Sequence, residues 1–148
     1  MAELVEGRPE PVVTVEDDPS GADVAILGRG LTEHARPTTG VDGFRALAMF
    51  LRDADGKILG GVAASVNWDW LQINLVWLAE PLRGGGYGRR LMEAIEGAGR
   101  ARGCTKAHLD TFSWQARPFY ERLGYEVFAV LDDYPPGSQR FYMRKSLV

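Results

Sequence analysis

Residues 71–102 read LQINLVWLAEPLRGGGYGRRLMEAIEGAGRAR, and this stretch decides the fold. Its first eight residues, 71–78, form an apolar run of strand length. A glycine-rich turn carrying Arg83, Arg89 and Arg90 follows. A helix opens directly out of that turn, because Tyr87, Leu91, Met92, Ile95 and Ala98 recur at helical spacing. Strand, glycine turn and helix in that order make an anion site. The helix N-terminus offers unpaired N–H groups and the positive end of its dipole, and the glycines remove side chains that would hold a phosphate away. A phosphate-bearing ligand is expected here.

Upstream, residues 1–11 read as a loose start, 12–16 (VVTVE) as a short strand, and 22–35 as a helix. Ser20 and Asp23 form its capping box, Ile26, Leu27, Leu31 and His34 share one face, and Pro37 closes it. Residues 44–52 (FRALAMFLR) are apolar on both faces, as an interior strand of a covered sheet would be. A turn at 53–56 returns the chain as the strand 57–68, and a tight turn near Asp69 leads into 71–78. Downstream, Glu96 and Arg100 stand four apart as an outward-facing pair, and Gly103 ends the helix. A strand at 106–112, a short helix at 116–123 stopped by Gly124, and strands at 125–131 and 140–145 complete the chain. The expectation is one α/β domain over residues 1–148. Its sheet is mixed and mainly antiparallel, with helices on both faces.

Composition narrows the function. The 148 residues are 45% hydrophobic and 25% charged, which suits a single globular domain with a core. Seventeen Lys plus Arg against twenty Asp plus Glu leave a net charge of -3, which argues against a general nucleic-acid binder. One cysteine and the lack of a long apolar span or a basic-then-apolar leader point to a reduced, cytoplasmic protein with no membrane partner. One Cys and two scattered His make no metal-ligand spacing, so no metal is expected.

The turn Arg83-Gly84-Gly85-Gly86-Tyr87-Gly88 is not a P-loop, which would end in Gly-Lys-Ser/Thr where this chain has Gly88-Arg89-Arg90. Nor does it sit in the parallel βαβ unit that a dinucleotide fingerprint needs, since its strand ends an antiparallel run. It resembles the signature of the GCN5-related N-acetyltransferases, Gln/Arg-x-x-Gly-x-Gly/Ala, through Arg83-x-x-Gly86-x-Gly88. A second element, Ala116-Arg117-Pro118-Phe119-Tyr120-Glu121-Arg122-Leu123-Gly124-Tyr125, is similar to that family's A-x-x-F-Y-E-K-L-G-F/Y motif. The resemblance spans roughly residues 12–145 and includes the wording of a bacterial subgroup.

The resemblance implies a sheet splayed between its fourth and fifth strands, 71–78 and 106–112, with acetyl-CoA admitted to the gap. Arg83, Gly84, Gly85, Gly86, Tyr87, Gly88 and Arg89 would hold the pyrophosphate. Val76, Trp77 and Leu78 would pair with the pantetheine arm, with Ala116 and Phe119 beside it, and Ser113 stands where an asparagine is commoner. The Leu78 N–H would polarise the thioester carbonyl as oxyanion stabilisation. Tyr120 would act as general acid toward the departing thiolate. The central strand carries no glutamate base; its polar residues are Gln72 and Asn74. Deprotonation by water, Asp110, Glu121 or Asp133 stays open.

Other residues carry weaker signals. His34 reads as a half-buried helix residue, His108 as a strand residue, and Cys104 with His108 as no nucleophilic pair, because no third group orients a base. Trp68, Trp70, Trp77 and Trp114 are pocket or packing aromatics. Asp132, Asp133 and Tyr134 form an acidic aromatic loop, which reads either as a site for a protonated amine or as a solvated loop. The expected activity is transfer of an acetyl group to a primary amine of a small molecule, with a homodimer common in such a family. A peptide amine acceptor and a non-catalytic acyl-CoA sensor are the alternatives.

Overall fold

The computed structural model describes residues 9–40 and 44–148. The chain divides into two compact units, Met1–Asp42 and Gly43–Val148. The loose start expected at 1–11 lies, for its first eight residues, outside the described residues. In the first unit, residues 12–16 form no strand: VVTVE alternates, but without a ladder partner the alternation has nothing to pair with, and Val12, Val13 and Val15 are exposed. Helix α1 (Gly21–Thr39) follows, with Ser20 as N-cap accepting the Ala22 N–H at 3.2 Å. Pro37 does not close it. The ring sits in the last turn, where one lost hydrogen bond is tolerated, and the helix ends at Gly40, φ 76°, whose N–H reaches the Arg36 carbonyl at 2.7 Å. Taken by itself α1 buries no side chain, so His34 is exposed rather than half-buried.

The second unit is a six-stranded sheet with two helices. Its elements are β1 (Phe44–Arg52), β2 (Ile58–Asn67), β3 (Trp70–Leu78), α2 (Tyr87–Arg100), β4 (Lys106–Phe112), α3 (Arg117–Arg122), β5 (Glu126–Asp132) and β6 (Gln139–Ser146). The order is β1-β2-β3-β4-β6-β5, antiparallel throughout except for the parallel β3–β4 pair. Strand β1, expected in the interior, is an edge strand and mostly exposed; an apolar run reports burial potential, not position in the order. The β1–β2 turn forms as its composition requires, with Asp53 Oδ1 accepting the N–H groups of Asp55 and Lys57 at 2.9 Å.

Helix α2 lays Leu91, Met92 and Ile95 on the sheet, and Gly99 lets it come close: a Cβ there would lie 3.0 Å from Leu71 Cδ2. Leu71, Met92, Ile95, Met143, Val62 and Val66 are almost wholly buried, each worth about 1.5–3 kcal/mol relative to exposure. Glu96 departs from expectation. It is buried, not outward, and takes Lys145 Nζ of β6 at 2.5 and 3.1 Å beside the Tyr125 hydroxyl at 3.5 Å. Arg100 instead donates to the Leu147 carbonyl at 2.7 Å. Burial and then the Glu96 carboxylate push the Tyr125 phenol far above its ordinary value. Helix α3 packs on the same face, with the Arg117 guanidinium 4.5 Å from the Phe141 ring centre. Pro118 sits in its first turn and Gly124, φ 96°, stops it.

Strand β3 changes character halfway. Ala64 opposes Ile73 while Ala63 opposes Leu75, so Asn74 is an extra residue, a β-bulge. Before it Leu71 and Ile73 face the core; after it the phase is reset and Val76 and Leu78 turn inward while Leu75 and Trp77 are exposed. Pairing with β4 holds only for Trp70, Leu71 and Gln72 against Lys106, Ala107 and His108. Beyond that the strands part. The expected splay is therefore present, between the third and fourth strands because the strand at 12–16 does not form. Among the described residues, no helix is long and apolar enough to cross a membrane.

Candidate active site

A crevice of about 670 Å³ fills the gap between the parted ends of β3 and β4. Among the residues that line it are Asn74, Val76, Trp77 and Leu78 from β3, Asp110 and Phe112 from β4, and Arg83, Gln115, Ala116, Tyr120 and Arg140. Past Gln72 the β4-facing edge of β3 has no strand partner. Apart from the Leu78 carbonyl, the backbone groups on that edge are open to an extended ligand, as in strand addition.

A short 3-10 turn (Glu80–Leu82) links β3 to the glycine turn, and Arg83 folds back so that its Nε donates to the Leu78 carbonyl at 3.1 Å. Gly86 is the N-cap of α2 at φ 82°, left-handed backbone that a side chain resists. No side chain caps the helix and no carboxylate stands in its first turn, so the orphan N–H groups keep their capacity for an anion. Gly88 permits a close approach, since a Cβ there would lie 3.2 Å from Phe119 Cζ and 3.6 Å from Leu78 Cδ1. This cradle fits a pyrophosphate. Arg89 pairs with Glu93 at 2.9 Å, both well exposed, a contact worth at most about 1 kcal/mol and open to competition. Arg90 lies over the Tyr87 ring.

Tyr120 is buried at the crevice, edge-on to Phe119 and Tyr125 at 5.1 and 6.0 Å between ring centres. Burial, with a smaller contribution from the Asp110 charge, pushes its phenol up to about 12. Asp110 is tied to Arg140, which reaches its Oδ2 with Nε at 2.7 Å and Nη2 at 2.6 Å. The same guanidinium donates from Nη1 to the Tyr134 hydroxyl at 3.1 Å and lies over Phe112, Tyr134 and Tyr142, 5.1–5.4 Å from the ring centres. Phe112 in turn stacks on Trp114 at 4.5 Å and on Tyr134 at 5.6 Å.

Several residues singled out in the sequence are placed elsewhere. Trp68 and Trp70 lie at the closed end of the β3–β4 pair, where Trp70 packs against His108 and under the Lys106 ammonium. The Ser113 hydroxyl accepts the Gln139 N–H at 3.1 Å and does not line the crevice. Asp133 is exposed on the β5–β6 hairpin, and the aromatic face of Tyr134 that seemed suited to an ammonium is covered by Arg140. Glu121 is exposed and pairs with Arg117 at 2.6 Å. Burial lowers the His108 imidazole and raises the Cys104 thiol, the wrong direction for a nucleophile. Sequence reasoning missed Arg140, Phe112 and Gln115, whose Oε1 accepts the Phe112 N–H at 3.0 Å. The one signal for Arg140 is its place opposite Phe112 in the β4–β6 ladder, a register no local pattern reveals.

Residues 27–125 match the family model described as the acetyltransferase (GNAT) family. The blasticidin-S acetyltransferase of Streptomyces morookaense is 34% identical over 135 residues, covering 90% of this chain and 94% of that protein. Among solved structures, an acetyltransferase from Bacillus cereus superposes with a TM-score of 0.74 at 26% identity over 90% of this chain and 97% of its own. A nourseothricin acetyltransferase superposes at 0.61 with 26% identity over 70% and 66%. The chain belongs to the GNAT acetyltransferase family and is an acetyl-CoA-dependent N-acetyltransferase.

Proposed function

We propose that this protein acetylates a primary amine of a small molecule by direct attack of the amine on acetyl-CoA in the β3–β4 crevice. The observation that carries the reading is the continuity of the open edge of β3 with the uncapped, glycine-rich start of α2. One end suits the pantetheine amides and the other the pyrophosphate. The Arg83 and Arg89 guanidinia add charge to the turn, and Gly84 to Gly88 supply backbone N–H groups. Val76 and Trp77 flank the arm, the Leu78 N–H donates to the thioester oxygen, and Ala116 and Phe119 pack beside it. The blasticidin-S and nourseothricin relatives favour a small-molecule acceptor.

Tyr120 meets the departing sulfur. A phenol near 12 facing a thiol whose reference value is about 8.5 makes full proton transfer uphill by roughly 5 kcal/mol. Its contribution is a hydrogen bond to the thiolate, with solvent closing the proton balance. Thiol release from acetyl-CoA, followed with blasticidin S, aminoglycosides and simple alkylamines, tests the function. Turnover with at least one amine is expected, and Tyr120→Phe should lower kcat by about 10- to 100-fold with the KM for acetyl-CoA within twofold. Binding of acetyl-CoA without release by any amine would make the protein a sensor instead.

A further inference from the structure

Asp110 is the one carboxylate among the described residues that line the crevice. Both close contacts from Arg140 converge on its Oδ2, and no described residue donates a hydrogen bond to Oδ1. The guanidinium cannot swing freely, because the Tyr134 hydroxyl and the rings of Phe112, Tyr134 and Tyr142 hold it on its other sides. The pair is only about a quarter to a third exposed, 24% for Arg140 and 32% for Asp110. A carboxylate is thus fixed with one oxygen occupied and the other open.

Building on the transfer reaction proposed above, we infer that Asp110 Oδ1 receives an N–H of the acceptor amine and that Arg140 is the positioning residue that fixes this carboxylate. The guanidinium decides which form of the amine is held. A lone carboxylate would stabilise an ammonium, whose nitrogen has no lone pair to give; one already neutralised by a cation does so far less. The amine then enters uncharged, with its hydrogen on Oδ1 and its lone pair free. Its nitrogen forms the C–N bond to the acetyl carbonyl carbon. The C–S bond breaks with its electron pair on sulfur, and the nitrogen's proton passes to Asp110 Oδ1 and on to solvent. Asp110 and Tyr120 line the same crevice.

The titratable and charged groups around Asp110 are His108 on its own strand, Arg140 and Tyr142 on β6, Tyr134 on the hairpin, Tyr120 on α3, and Arg83 in the same crevice. His108 stands two residues away on the same face of β4, so it serves as the control. The test follows thiol release at one fixed pH with the best acceptor of the amine panel, separating kcat from KM. Asp110→Asn should lose about 100-fold or more in kcat while its Kd for acetyl-CoA stays within twofold. Losing the guanidinium frees the carboxylate to turn, so Arg140→Gln should lower kcat about tenfold with the KM for acetyl-CoA within twofold, and Arg140→Lys should restore most of the loss. His108→Gln should leave kcat within twofold. Should Asp110→Asn fail to fold, the Arg140 variants decide. Asp110→Asn within threefold of wild type, an unchanged kcat in Arg140→Gln, or a tenfold loss in His108→Gln would overturn the inference. Absence of turnover by the wild type with every amine would instead remove the transfer reading, and this inference with it.

Discussion

The two halves of β3 share a strand and differ in almost everything else. Trp70 to Gln72 are hydrogen-bonded on both sides, with Leu71 fully buried against Gly99 of α2. Val76 to Leu78 pair on one side only, and their other edge opens on the crevice. The bulge at Asn74 separates them. A continuous strand would keep odd residues inward to its end; the extra residue turns Val76 and Leu78 inward and aims Trp77 outward. One element can therefore anchor the core at one end and leave half its hydrogen-bonding groups open at the other, along the edge proposed for acetyl-CoA.

That contrast can be broken at either end. Leu71→Ala should cost about 2–5 kcal/mol of stability in urea unfolding, while acetyl-CoA affinity of the folded protein stays within about threefold. A large loss of affinity at full occupancy of the folded state would mean the halves are not separable. Alkaline unfolding probes the open end. The Tyr120 phenol is raised in the fold to about 12 from a usual value of 10, so its contribution is complete below pH 10 and is lost as pH rises through about 12, a difference of roughly 3 kcal/mol. Tyr120→Phe should remove that share of the loss, leaving the share due to Tyr125. Identical alkaline slopes for the two proteins would contradict the burial argument. Gly88→Val should weaken acetyl-CoA binding by about tenfold or more in isothermal titration, because its side chain meets Phe119 and Leu78, with a smaller effect on stability than Leu71→Ala. At the hairpin beyond the closed end, Trp68 adopts φ 54°, so Trp68→Gly should leave catalysis unchanged and stabilise the fold by about 0.5–1 kcal/mol.

The sequence displayed what is local. The strand, the glycine turn and α2 are contiguous, and Ala116 to Tyr125 form one short segment, so both motifs could be read without knowing any long-range contact. Whatever depends on register was hidden. Residues 12–16 carry strand-like alternation, yet pairing decides whether a strand forms. Glu96 looked like a surface residue until β6 brought Lys145 to it, 49 positions away. Arg140 and Asp110, 30 positions apart, meet only because β4 and β6 are neighbours. The acidic hairpin illustrates the same point, since the aromatic face that its sequence offered to a ligand amine is used by a side chain of the protein itself.

The most direct measurement of the central claim is an acetyl-CoA titration followed by backbone amide NMR. The amides of residues 74–78 and 84–90 should shift together and saturate at one affinity, while those of Trp70, Leu71, Gln72 and His108 stay in place. Shifts concentrated at the closed end, around Trp70, His108 and Phe128, with residues 74–78 unmoved, would contradict the account.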